Sequence, residues 1–132
     1  MLKKIIKLLS LALIIPACYG HSLIAPDKCP STTAIQSLGI DYAVLNVDGA
    51  WIAGHTPNQY DTNLKWVFYI GPFSVKTGDE AMQAGRAALN SLHYFQGPEK
   101  NLEGDWVCIY YAGDGRYFAG TTAHDSSTSI SY

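Results

Sequence analysis

The residues best able to do chemistry in this chain are its four histidines and three cysteines. The histidines lie far apart in sequence, and no two of them stand at the spacing of a metal site. His124-Asp125-Ser126 places the residue types of a hydrolytic triad side by side, but a triad needs groups that meet in space on a rigid frame. Because this stretch is mostly Ser, Thr and Asp, we expect residues 124–132 to form a flexible C-terminal tail. The sequence therefore predicts no metal site and no catalytic residue.

Motifs of the common enzyme classes are missing from the sequence. It contains no G-x-S-x-G, no H-E-x-x-H, no P-loop and no G-x-G-x-x-G between a strand and a helix. Gly113-Asp114-Gly115 lacks the alternating acidic residues of a calcium loop and is predicted to be a turn. These observations favour a protein that is not an enzyme.

The N-terminus has the pattern of an export signal. Three lysines among the first seven residues precede an uncharged apolar run, and small residues follow it. Cleavage after Gly20 would make residues 1–20 a signal peptide and residues 21–123 a single domain without a transmembrane segment. In the alternative, Ile15-Pro16-Ala17-Cys18 is a lipoprotein box, and Cys18 is acylated as the new N-terminus. Either way the sequence predicts an exported protein, periplasmic or secreted, or anchored by lipid at Cys18.

Cys29 and Cys108 would be the two cysteines of the exported domain. Two such thiols form a disulfide by default in an oxidising compartment. The absence of a C-x-x-C motif and of a Cys/His cluster gives no support to a redox or metal-binding role. We therefore predict a disulfide between Cys29 and Cys108, which would tie the start of the domain to a strand around Cys108.

Charge limits the classes of partner. The whole chain has a formal net charge of −2. Loss of the three leader lysines would change this to about −5 for the domain, with no cluster of Lys or Arg. Nucleic acid and anionic membranes are bound through such clusters and are therefore poor partners, whereas basic partners remain open.

Apolar periodicity predicts an α+β fold, in which an antiparallel sheet of about five strands packs against one short and one long helix. Asp48-Gly49 is a hairpin signal between two of the strand patterns, and Gly113-Asp114-Gly115 is the turn between the last two. The predicted strands cover residues 42–47, 50–54, 64–70, 106–111 and 117–122.

The two helices are predicted from capping signals and apolar spacing. Ser31 can cap a brief helix that runs through Leu38. Thr77-Gly78-Asp79-Glu80 has the form of a capping box, and apolar residues then recur at three- and four-residue steps as far as Phe95. This pattern predicts one long helix that carries His93 near its end.

Aromatic content suggests where a ligand could bind, because the chain has nine tyrosines and three tryptophans. Strand alternation places Tyr42, Tyr69 and Tyr111 away from the side of the sheet that carries the tryptophans. An aromatic outer face of this kind suits a flat ligand or a partner protein. A polar loop is predicted for residues 55–63, and two of its side chains could lead such a site. The candidate ligand-binding residues are His55, Tyr60, Tyr69 and Tyr111.

Several of these features together resemble one family. They are the cleaved leader, the Cys29-Pro30 start, the Trp66-Val67-Phe68-Tyr69 strand, the Asp79-Glu80-Ala81 helix and the Trp106-Val107-Cys108-Ile109-Tyr110-Tyr111 strand. The family comprises small exported proteins of unknown function, found mainly in intracellular Gram-negative bacteria of the Legionella type, and some members carry the name hemin-binding protein. The resemblance implies export, one α+β domain and a non-enzymatic role, with haem as a candidate cofactor.

Two functions follow as hypotheses. The first is a small exported binding protein with hemin as its ligand. Covalent attachment is excluded because C-x-x-C-H is missing, so an axial ligand would come from His55, Tyr60 or His93. The alternative is an envelope or host-directed interaction module that uses the aromatic face of the sheet.

Overall fold

The protein is described by a computed structural model that covers residues 24–124. The predicted signal peptide, Cys18 and the predicted tail beyond His124 lie outside this range. Within it the chain forms two helices and six strands. The helices are α1 (Thr32–Leu38) and α2 (Gly78–Leu89), and the strands are β1 (Tyr42–Leu45), β2 (Trp51–Asn58), β3 (Trp66–Phe73), β4 (His93–Lys100), β5 (Trp106–Ala112) and β6 (Tyr117–Ala123). No helix of this part of the chain is long and apolar enough to cross a membrane.

The strands form one antiparallel sheet in the order β1-β2-β3-β6-β5-β4. Two hairpins, β1–β2 and β5–β6, agree with the turn signals in the sequence. Pairing of β3 with β6 joins the two halves. The strand that carries Cys108 is β5, which lies next to the edge strand β4 and not at the centre of the sheet.

The prediction of a long helix and about five strands was wrong, because two short helices and six strands are found. Helix α2 ends at Leu89, where the amides of the next three residues each bond to the carbonyl three positions earlier. The Ser91 hydroxyl also donates to the Ala88 carbonyl, in competition with the helical bond, and accepts from the Gly113 amide. The chain then turns into β4, so Phe95 belongs to a strand that pairs with β5.

One face of the sheet carries the helices and the hydrophobic core. Helix α2 lies close to β2, because a Cβ atom at Gly85 would come within 2.9 Å of the Ala53 Cβ. The predicted cap is present, with the Thr77 hydroxyl accepting from the Glu80 amide at 3.2 Å. The largest fully buried side chains of this layer are Trp66, Tyr110, Phe68, Ile35 and Ile70.

The predicted disulfide is confirmed, with the two sulfurs of Cys29 and Cys108 bonded at 2.09 Å. Cys108 is fully buried on β5. The Tyr110 hydroxyl, also on β5, donates to the Pro30 carbonyl. The segment before α1, residues 24–31, is therefore attached to the sheet by a covalent bond and by a buried hydrogen bond.

Asp61, in the loop between β2 and β3, holds the same segment from its other side. Its carboxylate accepts from the Ser31 amide at 3.0 Å and from the Lys28 ammonium at 3.3 Å. Partial burial alone would raise the pKa of Asp61, but these hydrogen bonds outweigh it and hold the pKa below its usual range. The ionised carboxylate therefore stabilises the attachment of the segment.

Candidate binding surface

No helix or loop of residues 24–124 covers the face of the sheet opposite the helices. We call it the open face. Its strands carry a continuous chain of rings, because Tyr111 on β5 lies opposite both Phe118 on β6 and His93 on β4. The ring centroids of Tyr111 lie 6.3 Å from Phe118, 5.1 Å from Phe95 and 6.1 Å from His93. Tyr69 extends the chain from Phe118 at 6.3 Å. We refer to these five residues as the aromatic cluster.

The aromatic cluster is open to solvent where a partner could reach it. Phe95 is 55% exposed and Phe118 is 42% exposed, while Tyr69 and Tyr111 are half-buried. None of the five side chains carries a fixed charge. An exposed patch of large apolar side chains on a soluble domain marks a site of interaction more often than a random surface does.

Two glycines determine how the tyrosines of the open face lie. Tyr42, Gly54, Tyr69 and Gly120 stand opposite one another in one row across four strands. A Cβ atom at Gly120 would lie 2.5 Å from the Tyr69 hydroxyl, and one at Gly54 would lie equally close to the Tyr42 hydroxyl. Each ring therefore lies sideways across the glycine of the neighbouring strand, where any side chain would displace it. Burial raises the pKa of Tyr42, whose neutral hydroxyl donates to the Phe68 carbonyl at 3.5 Å.

The rings of the aromatic cluster are inclined at different angles to one another. The ring of Tyr111 is inclined by 84° to that of Phe118 and by 78° to that of Phe95. Tyr69 and Phe118, in contrast, are inclined by only 30°. The open face thus carries rings at widely different inclinations, and this uneven surface suits side chains of a partner better than it suits one extended planar molecule.

His55 lies on the opposite side from the aromatic cluster. Strand β2 continues to Asn58, so His55 is a strand residue and not part of a loop, and it stands opposite Phe68 on the core side. Its side chain is only 14% exposed, with Nε2 at 3.6 Å from the Asp41 carboxylate. Its Nδ1 lies 2.7 Å from the Thr56 carbonyl. The Nδ1 atom is therefore engaged with the Thr56 carbonyl, and the Asp41 carboxylate lies beside Nε2.

Asp41 is fixed by the same group of residues. Its carboxylate accepts from the Thr56 amide at 2.9 Å and from the Thr56 hydroxyl at 2.7 Å. Partial burial would raise the pKa of Asp41, but the Thr56 hydrogen bonds and the nearby His55 together lower it. Asp41, Thr56 and His55 therefore form a local structural link between the start of β1 and the second half of β2.

Tyr60 is also on the core side, where it packs against the hydrophobic core. Its backbone has a φ of 55°, and the Asn58 side chain accepts from its amide at 2.8 Å. The hydroxyl is buried without a hydrogen-bond partner among the described residues. Burial strongly raises the pKa of Tyr60, so its phenol remains protonated and is a poor ligand for iron.

The four residues proposed from the sequence thus fall into two groups. Tyr69 and Tyr111 lie together on the open face, and His55 and Tyr60 lie on the core side. Sequence reasoning did not place three members of the aromatic cluster on the open face, although His93 was among the candidate axial ligands. Alternation along β6 could have placed Phe118 with them, whereas His93 and Phe95 were assigned to a helix, which hid their contacts with Tyr111.

A groove beside the disulfide is another candidate for a binding site. It is a groove of about 340 Å³ between residues 27–31 and β4, with Tyr94 and Pro98 in its wall. The Tyr94 hydroxyl already donates to the Gly97 carbonyl. Residues 24–124 also contain no group of three or more His, Cys, Asp or Glu that could hold a metal ion. The aromatic cluster is therefore the stronger candidate for a binding site.

The sequence profile of a family described as a domain of unknown function (DUF4949) matches residues 28–131. The chain belongs to the DUF4949 family. The match includes both cysteines of the disulfide and every helix and strand of this DUF4949 domain, so the expected likeness to a family of unknown function is confirmed. No curated protein and no solved structure matches the chain.

Proposed function

We propose that this DUF4949 domain is a small, exported, non-enzymatic binding protein whose open face binds another protein in the cell envelope or in a host. The observation that carries the proposal is the aromatic cluster, which is exposed, free of fixed charge and uneven in relief. Large aromatic side chains at the centre of an interface supply much of the binding free energy. The ring of Tyr111 and the exposed ring of Phe118 provide such anchors.

The chemistry of the partner follows from the same surface. It presents apolar side chains that fit between the rings, because polar groups buried there would find few hydrogen-bond partners. Around this contact it is neutral or basic, because the chain has a net negative charge of −2 that becomes about −5 without the leader lysines. The disulfide supports export, because such bonds persist mainly in oxidising compartments.

Photo-crosslinking in the cell of origin tests this proposal. A benzoylphenylalanine is placed at Phe118 in one variant and at Leu102, fully exposed in the loop before β5, in a matched control. We expect a discrete crosslinked protein at position 118 and none at position 102. Replacing Phe95 by Ser should then weaken the crosslink at 118. Equal crosslinking at both positions, or a crosslink at position 118 that Phe95→Ser does not weaken, would refute the open face as the binding surface.

Hemin is a second candidate ligand, and one observation favours it. His93 is exposed on β4, with its ring centroid 6.1 Å from that of Tyr111 and with Phe95 on the same part of the sheet. An imidazole beside aromatic rings can ligate iron while the rings pack against a porphyrin. The likeness to Legionella-type proteins named for hemin binding adds support. Among the three axial ligands considered, His55 and Tyr60 are engaged or buried, so His93 is the candidate.

Absorbance titration with hemin distinguishes these possibilities. If hemin binds at the open face, a Soret shift should appear and should be lost in His93→Ala but kept in His55→Ala. If hemin binds on the core side, the Soret shift should be lost in His55→Ala and kept in His93→Ala. Absence of any Soret shift in the folded, oxidised protein would eliminate hemin and leave the protein-partner proposal standing.

A further inference from the structure

The two edges of the sheet are constructed differently. Strand β4 pairs with β5 through two register irregularities, and it contains Pro98 and the charged Glu99 and Lys100. Bulges, proline and charge are the features that prevent an edge strand from pairing with another chain. Strand β1 has none of them between Tyr42 and Leu45, and it pairs with β2 in an uninterrupted register.

The β1 edge also exposes apolar side chains on both faces of the sheet. Val44 is 50% exposed on the open face, and Leu45 is 59% exposed on the face that carries the helices. Backbone bonding to β2 continues at both ends, from the Asp41 amide to Gly54 and from the Asn46 amide to Ala50. The extended edge is therefore longer than the four residues of β1. Its outward backbone groups have no strand partner in residues 24–124.

We propose that β1 pairs antiparallel with β1 of a second copy of this chain, which joins the two sheets into one. A strand that pairs here lies against the exposed Val44 and Leu45, so an uncharged strand with apolar side chains on both faces suits this edge best, and β1 itself has both properties. With Ala43 opposite its own copy, Tyr42 of one chain lies opposite Val44 of the other on the open face. The small Ala43 side chains meet at the two-fold axis.

Charge placement is compatible with this self-pairing. Asp41 is the acidic residue nearest to β1, and a two-fold axis through Ala43 puts the two copies of Asp41 at opposite ends of the paired strands. The carboxylates therefore do not face each other across the new strand pair, where like charges would destabilise it. The pairing does not depend on what the open face binds. It would place the two aromatic clusters on the same side of one continuous sheet, where they could engage a partner bivalently.

Sedimentation velocity over a range of concentrations tests the dimer, with purified, oxidised protein. Val44→Lys and Leu45→Glu place a charge on the β1 edge, whereas Leu102→Lys places a charge in an exposed loop. We expect a monomer–dimer equilibrium in the wild type and in Leu102→Lys. Each edge variant should raise the dissociation constant by about tenfold or more, because the two lysines introduced at position 44 lie diagonally across the two-fold axis, and each glutamate introduced at position 45 lies opposite Asp41 of the other chain.

Two results would overturn the inference. One is a wild-type protein that remains monomeric at every concentration up to about 1 mM, the level at which even weak interfaces associate. The other is a dimer that persists in both edge variants and dissociates in Phe118→Ser, because that result would place the contact on the open face. Thermal unfolding of each variant shows whether it has kept its fold. If one edge variant does not fold, the other still tests the inference.

Discussion

Replacing the glycines under the tyrosines should reveal how the open face is formed. At Gly120, an added Cβ would meet the far end of the Tyr69 side chain, with 2.6 Å to Cζ, and this side chain can rotate away. At Gly54 the nearest atom is the backbone carbonyl oxygen of Phe68, which cannot move without disturbing β3. Overpacking costs roughly 1–3 kcal/mol, and a Gly-to-Ala change recovers about 0.4–1 kcal/mol through the unfolded chain. With this recovery subtracted, we expect Gly120→Ala to cost about 1 kcal/mol or less and Gly54→Ala about 2–2.5 kcal/mol.

Equilibrium urea denaturation in double-mutant cycles measures both effects. In a Tyr69→Ala background the obstruction at Gly120 is gone, so Gly120→Ala should become neutral or slightly stabilising. In a Tyr42→Ala background the Phe68 carbonyl remains, so Gly54→Ala should stay costly. An unchanged cost of Gly120→Ala with and without Tyr69 would refute the argument that the ring lies across Gly120. Full rescue of Gly54→Ala by Tyr42→Ala would refute the distinction between the two glycines.

Three further predictions concern the core side. Replacing Cys29 and Cys108 by Ala should lower the free energy of unfolding by about 4.5 kcal/mol, because the disulfide closes a loop with a sequence separation of 79. Urea titration of the variant and of the oxidised wild type measures this difference. Thr62→Val should cost about 1–3 kcal/mol, because the buried Trp66 Nε1 donates to the Thr62 hydroxyl at 2.8 Å and would lose its acceptor. A cost near zero would mean that another acceptor replaces it. Because the pKa of Asp61 is lowered by folding, its contribution is complete above its unfolded pKa of about 4 and is lost as the pH falls through the folded value. Asp61→Asn should therefore destabilise the protein near neutral pH. The variant should also lose less stability than the wild type between about pH 7 and pH 3, as measured by thermal unfolding.

Local signals in the sequence predicted much of the framework. Asp48-Gly49 fixed the β1–β2 turn, and Gly49 has a φ of 86° that a side chain would disfavour. The cap at Thr77 and the pairing of Cys29 with Cys108 also follow from residue type and position. Each of these features depends on a few neighbouring residues or on the count of available thiols. None requires knowledge of which strands lie side by side.

The end of α2 could not be predicted in the same way. Helical spacing of apolar residues continues beyond Leu89 to Leu92 and Phe95, so periodicity alone extends the helix. In the structure Leu92 is buried in the core after the turn, while Phe95 joins the aromatic cluster from β4. Pairing with β5 outweighs the helical preference, and this long-range gain has no local signature.

The open face shows why strand alternation predicts less about function than about the core. Alternation correctly assigns Tyr42, Tyr69 and Tyr111 to one side, but it treats them as equivalent. Cross-strand neighbours distinguish these three tyrosines. Tyr42 and Tyr69 lie across Gly54 and Gly120, whereas the ring of Tyr111 is steeply inclined to those of Phe118 and Phe95. Glycine has a low strand propensity, yet Gly54 and Gly120 let large rings cover the sheet without a bulky layer above it. The surface offered to a partner is therefore determined by strand register, which brings each tyrosine next to a glycine or to another ring.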